Sequence, residues 1–275
     1  MRHLKIIASF VLIIYISSCK KESTSFNIQN MNNKVLALGH GGSGELNLYP
    51  MNTYESIMNC LDAGSDGTEW DIQMTKDSVL VAYHDETLET QTNGHGSIID
   101  YTWTDLQKVQ YTPAPYVTYA MVSVDTLFQH LPNLHQLTFS FDNKLYFDDS
   151  YRAIFIRAII RLLEKYQMEQ NVFIESHEPT FLTQFKLLKD YKFFLNPDTF
   201  EDGLSLAESN GFYGIIMDVA NLTADQISTA HQHGLYVQVW GATSKDDNIA
   251  AVQKNPDTIQ TDNIGALVSL LKNAQ

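Results

Sequence analysis

Glu69 and Asp71 stand two residues apart in Gly67-Thr68-Glu69-Trp70-Asp71-Ile72, and a β-strand turns residues i and i+2 to the same face. Two carboxylates aimed together suit a hard divalent cation such as Ca²⁺ or Mg²⁺, which takes oxygen ligands. Further on, Val79-Leu80-Val81-Ala82-Tyr83 reads as a second strand that delivers His84-Asp85 at its far end. Imidazole suits proton transfer near neutral pH. Folded as a hairpin about Lys76-Asp77, this stretch sets Glu69 across from His84. Neither His84 nor the other strand-end histidine, His40, has a Ser or Cys beside it that looks like an activated nucleophile, so the attacking group comes from the substrate or from water.

Elements with the right rhythm surround these residues. Strand patterns fall at 35–39, 68–74, 79–83, 137–141, 172–175, 192–195, 214–217, 236–240 and 258–260. Helix patterns, with apolar residues three and four apart, fall at 54–63, 152–166, 181–189, 224–233 and 245–253. Alternating β and α with helix-length crossovers implies a parallel sheet covered on both faces. Eight such units close a TIM (β/α)8 barrel, so one of the nine strand patterns either lies outside it or is not a strand. In that α/β fold the strand C-termini form the active face. Gly39-His40, Glu69, Asp71, His84-Asp85, Asp142 with Lys144, Glu175-Ser176-His177, Asp218, Trp240 and Thr261-Asp262 all fall at strand ends. Their joint arrival at one mouth is more informative than any one of them.

The chain has 275 residues, 44% of them hydrophobic, enough for one barrel-sized domain. Its start, Met1-Arg2-His3-Leu4-Lys5, an apolar run over 6–16 and Ser17-Ser18-Cys19, resembles a bacterial lipoprotein signal. The expected organisation is a signal at 1–18, a polar tether at 19–33 from lipid-modified Cys19, and a barrel over 34–275. The expected location is the cell envelope, with a membrane contact through the N-terminal lipid only. Cys60 then has no partner for a disulfide, and inside a helix pattern it reads as a small buried hydrophobe. The net charge of −14 repels nucleic acid and anionic headgroups. An anionic substrate therefore needs local positive charge, which a bound cation can supply.

Nearly the whole mature chain, from Val35 to Asp262, resembles the glycerophosphodiester phosphodiesterase family. The resemblance is carried by Gly39-His40-Gly41-Gly42, Pro50-Met51-Asn52-Thr53, Glu69-Trp70-Asp71, Thr75-Lys76-Asp77-Ser78 and His84-Asp85. Asn93-Gly94-His95-Gly96, Phe141-Asp142-Asn143-Lys144, Val239-Trp240 and Gln260-Thr261-Asp262 follow in the family's order. The resemblance implies His40 and His84 as general acid and base, and Glu69, Asp71 and Asp142 as ligands of a divalent cation. It also implies Lys144 near the phosphate and Trp240 lining the substrate channel. That division suits phosphodiester cleavage, which needs charge neutralised on the non-bridging oxygens and protons moved at the attacking and leaving oxygens. The expected partner is a small-molecule phosphodiester, with no protein partner.

Four positions depart from the family's pattern, one of them the third ligand, Asp142, an aspartate where glutamate is commoner, which shortens its reach but preserves charge. Gly41 replaces the arginine that grips phosphate, Met51 replaces the glutamate of Pro-Glu-Asn-Thr, and Thr90 stands where an arginine is common. Loss of a guanidinium removes strong bidentate phosphate binding. A non-catalytic or altered-substrate surface binding lipoprotein on the same barrel is the alternative these changes raise. A glycosidase fails on geometry, because same-face neighbours on one strand do not flank a scissile bond from opposite sides.

Overall fold

The computed structural model describes residues 26–44, 49–112 and 114–272. Lipid attachment at Cys19 and the signal before it lie outside the described residues. Eight parallel strands form the barrel: β1 (Leu36–Gly39), β2 (Gly67–Met74), β5 (Thr138–Asn143), β6 (Val172–Ser176), β7 (Lys192–Leu195), β8 (Gly214–Asp218), β9 (Tyr236–Ala242) and β10 (Thr258–Thr261). Leu38 pairing with Gly67 and Gly39 with Thr68 closes the ring between β1 and β2. Two short antiparallel strands, β3 (Leu80–Ala82) and β4 (Val122–Ser123), extend off β2 outside the barrel. The strand pattern at 79–83 is therefore the one beyond the eight.

Helices cover the outside: α1 (Tyr54–Asp62), α2 (Trp103–Leu106), α3 (Val124–His130), α4 (Arg152–Tyr166), α5 (Pro179–Leu188), α6 (Phe200–Asn210), α7 (Ala224–Gln232), α8 (Lys245–Gln253) and α9 (Ile264–Lys272). Their starts follow capping chemistry. Thr53, Thr199, Thr223 and Ser244 each accept a hydrogen bond from a first-turn amide, which satisfies one of the donors a helix start leaves open.

The strand period separates core from site. On β2, Trp70 points outward and packs on Phe128, Phe139 and Phe141, with ring centroids 4.6–5.6 Å away. Its neighbours Glu69 and Asp71 therefore point into the barrel. Trp70 is fully buried, and truncating an aromatic of that kind costs about 3–5 kcal/mol, so the strand bearing the carboxylates is firmly seated. A second cluster, including Val81, Tyr83, Leu88, Leu106 and Tyr111, fills the excursion between β2 and β5. Inside the barrel, Phe173, Phe194 and Ile216 make a small apolar floor.

The hairpin register differs from expectation. Ile72 pairs with Ala82 and Met74 with Leu80, and the Tyr83 amide donates to Asp71 O, so Tyr83 rather than His84 continues the ladder beside the carboxylates. The turn takes three residues, Lys76, Asp77 and Ser78, with Ser78 in the left-handed region at φ 63°. A turn of a type I pair followed by one left-handed residue is a standard three-residue hairpin loop, and its extra residue shifts the register by one. Cys60 is buried and free.

Residues 26–34 dock at the far end of the barrel from the strand C-termini. The Gln29 amide donates to Asn255 Oδ1 at 2.9 Å, the Met31 amide to Asp257 Oδ1 at 2.9 Å, and Asn30 Nδ2 to Pro256 O at 2.7 Å. Among the described residues no helix is long and apolar enough to cross a membrane.

Candidate active site

A cavity of about 250 Å³ opens at the C-terminal ends of the barrel strands. His40, His84, Glu69, Asp71, Asp142, Lys144 and Trp240, which sequence alone singled out, all line it. The structure also brings Glu175, His177, Asn196 and Gln260 to the same wall. Asp218 instead turns to the Ala220 amide at 2.7 Å, and His95 is solvent-exposed, its side chain 84% accessible.

The three acids form one group. Oxygen atoms of Glu69, Asp71 and Asp142 lie within 4.8 Å of one another, the span of ligands around a single Ca²⁺ with bonds of about 2.3–2.6 Å. Each is held from behind. The Gly41 amide donates to Glu69 Oε2 at 2.8 Å. Asn52 grips Asp71 twice, with Nδ2 donating to Oδ2 at 2.6 Å and Oδ1 accepting from the Asp71 amide at 3.0 Å. Asn52 reaches this pose from the left-handed region at φ 62°, which asparagine tolerates better than most residues. Lys144 Nζ lies 3.0 Å from Asp71 Oδ1 and 2.7 Å from Asp142 Oδ2.

The electrostatics leave this cluster short of positive charge. Burial and then the charge of Asp71 raise the Glu69 pKa well above the usual carboxylate value, although His40 opposes them. Asp71 is buried too, yet Lys144, His84, His40 and the Asn52 hydrogen bond together hold its pKa below the ordinary value. Lys144 pays a burial penalty, but Asp71 and Asp142 outweigh it and raise its pKa. Hard oxygen donors, close spacing and uncompensated acid all fit a divalent cation, and no sulfur or imidazole ligand in the group favours a softer metal.

The two histidines are wired alike. His40 Nδ1 is 2.9 Å from Asp262 Oδ1, and His84 Nδ1 is 2.7 Å from Asp85 Oδ1. A carboxylate on Nδ1 sets the tautomer and leaves Nε2 for chemistry. Burial lowers the His40 pKa, but the Asp262 hydrogen bond and the charges of Glu69, Asp262 and Asp71 outweigh it, pushing the value up to about 10. Asp85 is anchored in turn by Gln91 Nε2 at 2.8 Å and by the Thr90 hydroxyl. Thr90, where the family commonly has arginine, thus serves the His84 pair through a hydroxyl.

Two further departures from the family pattern, Gly41 and Met51, touch each other. Gly41 has φ 55°, and a Cβ placed on it would lie 2.4 Å from Met51 Cε and 2.8 Å from Met51 Cβ. The Met51 side chain occupies the space a side chain at position 41 would enter.

Beneath the acids, Glu175 is fully buried and one oxygen, Oε1, accepts from Ser140, from Gln260 Nε2 at 2.7 Å and from Gln238 Nε2 at 3.1 Å. Burial and the charge of Asp142 raise its pKa to about 8, against the Ser140 and Gln260 hydrogen bonds. Sequence reading assigned no role to Asp262, Asp85 or Asn52, although each sits in a quoted motif. It had no signal for Asn196, which follows β7 as an ordinary turn residue.

A profile of the Glycerophosphoryl diester phosphodiesterase family matches residues 40–266. A glycerophosphodiester phosphodiesterase of Caldanaerobacter subterraneus subsp. tengcongensis is 24% identical over 244 residues, 87% of this chain and 98% of that protein. Among solved structures, a phosphodiesterase from Oleispira antarctica in complex with the product sn-glycerol-3-phosphate superposes with a TM-score of 0.76 at 17% identity, covering 86% of this chain and 96% of that one. A glycerophosphodiester phosphodiesterase from Parabacteroides distasonis superposes with a TM-score of 0.74 at 17% identity, covering 92% and 100%.

Proposed function

The chain belongs to the glycerophosphoryl diester phosphodiesterase family, enzymes of the phosphoric diester hydrolase class, and we propose that it hydrolyses glycerophosphodiesters to an alcohol and glycerol phosphate. In this reading His40 and His84 carry the acid–base chemistry, Glu69, Asp71 and Asp142 hold a divalent cation, and Lys144 and Trp240 contact substrate. The observation that supports it best is the shared wiring of the histidines, each with Nδ1 on an aspartate, beside three carboxylates in one cavity. One histidine takes the proton of the attacking hydroxyl and the other protonates the leaving alcohol. Their roles reverse when a cyclic phosphate, formed by attack of the neighbouring glycerol hydroxyl, is opened by water. Asp262 and Asp85 keep the two imidazoles oriented through both steps. When bound, the cation neutralises charge on the phosphate oxygens and acidifies the attacking hydroxyl.

A screen of soluble glycerophosphodiesters with and without chelator tests this. Turnover should vanish with chelator and return with Ca²⁺ or Mg²⁺, and His40→Ala or His84→Ala should each cost roughly 10²–10⁴ in rate. Absence of turnover, or turnover indifferent to chelator, would refute the reading. An analogue lacking the neighbouring hydroxyl should bind without being cleaved.

Lipid attachment at Cys19 in the cell envelope belongs to the same proposal. From Cys19 to Phe26 the backbone spans at most about 25 Å. Because 26–34 docks at the end opposite the cavity, an anchored molecule would hold its mouth away from the bilayer. Water-soluble diesters then suit it better than lipids in the membrane. Cys19→Ser should move the protein to the soluble fraction; retention with an uncleaved signal would count against the anchor.

A further inference from the structure

Among the described residues, Leu187 and Leu188 are the most exposed large apolar side chains, 82% and 52% accessible, and the only exposed pair adjacent in sequence. Helix period accounts for the exposure. α5 seats Phe181, Leu182 and Phe185 in the core, and Leu187, two residues past Phe185, falls on the opposite side of the helix. Single exposed leucines are ordinary. Two side by side at a helix end make an apolar knob that the packing of the barrel does not use.

Its place in the fold says what it meets. α5 runs from the end of β6 to the start of β7, so the knob lies at the N-terminal ends of the barrel strands, away from the cavity. Residues 26–34 dock on that same face, bonding Asn255, Pro256 and Asp257 just before β10, and the Tyr236 hydroxyl at the start of β9 donates to Asn32 Oδ1 at 3.4 Å. β7 stands opposite β1 in the ring, so the leucines and the docked segment occupy opposite sides of one face. A lipid on Cys19, within about 25 Å of Phe26, brings the bilayer to that face.

The charges around the knob suit the same surface. Between 185 and 192, Lys186, Lys189 and Lys192 stand against Asp190 alone, in a chain of net charge −14. Lys186 pairs with Asp190 at 2.9 Å and Lys189 with Glu164 at 2.7 Å, while Lys192 Nζ donates to Gln170 O at 2.9 Å and lies over the Phe173 and Tyr213 rings. Lysines beside exposed leucines fit a membrane boundary, where their stems lie along apolar carbon and their ammonium groups stay among the headgroups. Two of the three already have a carboxylate, so the leucines rather than the charge carry the contact.

Resting on the reading of a lipid-anchored chain, we propose that Leu187 and Leu188 form a second contact with the bilayer that holds Cys19, entering its headgroup boundary. The anchor alone leaves the barrel free to swing on its tether. A second contact across the same face stands the barrel upright, with its mouth turned to the aqueous side.

The test uses the full lipidated chain on vesicles of phosphatidylethanolamine and phosphatidylglycerol that carry a headgroup-attached nitroxide quencher. Cys60 is buried and Cys19 is blocked by its lipid, so a thiol-reactive fluorophore reports one introduced cysteine. Gln184→Cys places it on α5 one turn before the leucines, and Asp246→Cys places it in the first turn of α8 at the mouth end. Quenching should be several-fold stronger at 184 than at 246. Leu187→Ser with Leu188→Ser should bring the signal at 184 down to that at 246 while the protein stays on the vesicles. Added salt should change little, because the ion pairs close by are already made. Equal quenching at the two sites, quenching that survives the double serine change, or quenching abolished by salt would overturn the proposal and leave the anchor standing. A chain that does not float with the vesicles would sink the anchor reading, and this contact with it. If Cys19→Ser protein sediments as a dimer that the double serine change makes monomeric, the leucines meet a second copy and the bilayer contact is wrong.

Discussion

Lys144 is the residue whose replacement should speak most directly about the cation. Its ammonium bonds Asp71 and Asp142, two of the three acids proposed as ligands, and only 13% of its side chain is accessible. Lys144→Met removes the charge and keeps much of the volume. In metal-free protein the acids then lose their counter-charge. Breaking a buried ion pair costs about 3–5 kcal/mol, and the lower figure applies because Asp142 stays partly accessible and Asn52 still grips Asp71. About 3 kcal/mol corresponds to a fall in Tm of roughly 6–12 °C for a domain of this size. The response to metal should move the other way. A cation at 100 times its Kd stabilises the wild type by about 2.7 kcal/mol, after displacing or sharing space with the ammonium. Without that competing charge, binding should tighten about tenfold, adding ~1.4 kcal/mol. Thermal unfolding of both proteins in EDTA and across Ca²⁺ and Mg²⁺ titrations measures both numbers. If Lys144→Met is as stable as the wild type without metal, or gains no more from metal than the wild type does, the ammonium is not the placeholder these distances suggest.

Other perturbations have defined signs. In metal-free protein the raised His40 pKa contributes stability that is full below the ordinary histidine value of about 6.5 and is lost as pH climbs through about 10. Asp262→Asn should flatten that slope, read from denaturant unfolding between pH 6 and 10, and should move the His40 imidazole titration downward by NMR. Asn52→Ala removes both hydrogen bonds to Asp71 and should weaken cation binding several-fold by calorimetry while leaving the barrel folded. Ser78→Gly relieves a left-handed serine at φ 63° and should raise stability by about 0.5–1 kcal/mol, with no change in the kinetics of diester hydrolysis.

Much of the barrel was legible because its signals are local. The runs at 172–175 and 214–217 became β6 and β8, and the spare strand pattern became β3. The helices α6 and α9 escaped a reading based on period. Each carries a glycine, Gly203 and Gly265, which weakens an isolated helix by about 1 kcal/mol. In α6 that glycine sits against Pro197, where a Cβ would meet Cγ at 2.5 Å. Packing against the barrel decided both helices. The carboxylates at 69 and 71 were legible because the strand period fixes their face. The partner of His40 was not, since Asp262 is 222 positions away and only closure of β10 on β1 brings them together. The hairpin register also depended on a local detail, one left-handed residue in the turn.

The Gly41–Met51 contact bears on how this cavity meets an anion. An arginine and a glutamate at these positions would carry opposite charges. Here both are uncharged, and Met51 fills the space above Gly41, so the pair is changed in a matched way and neither position leaves a charge unbalanced. The cost falls on phosphate binding. Lys144 is already shared between Asp71 and Asp142, His40 faces Asp262 and His84 faces Asp85, while both ring nitrogens of His177 are taken up by Asn196. Among the described residues lining the cavity, then, Lys144, His40 and His84 each already face a carboxylate, and the ring nitrogens of His177 are engaged by Asn196. A phosphodiester entering it would find its charge met chiefly by a cation on Glu69, Asp71 and Asp142. In that arrangement the cation serves affinity as well as rate, and Gly41→Arg alone could not restore the missing grip, because the new side chain would have to displace Met51 before it reached the phosphate.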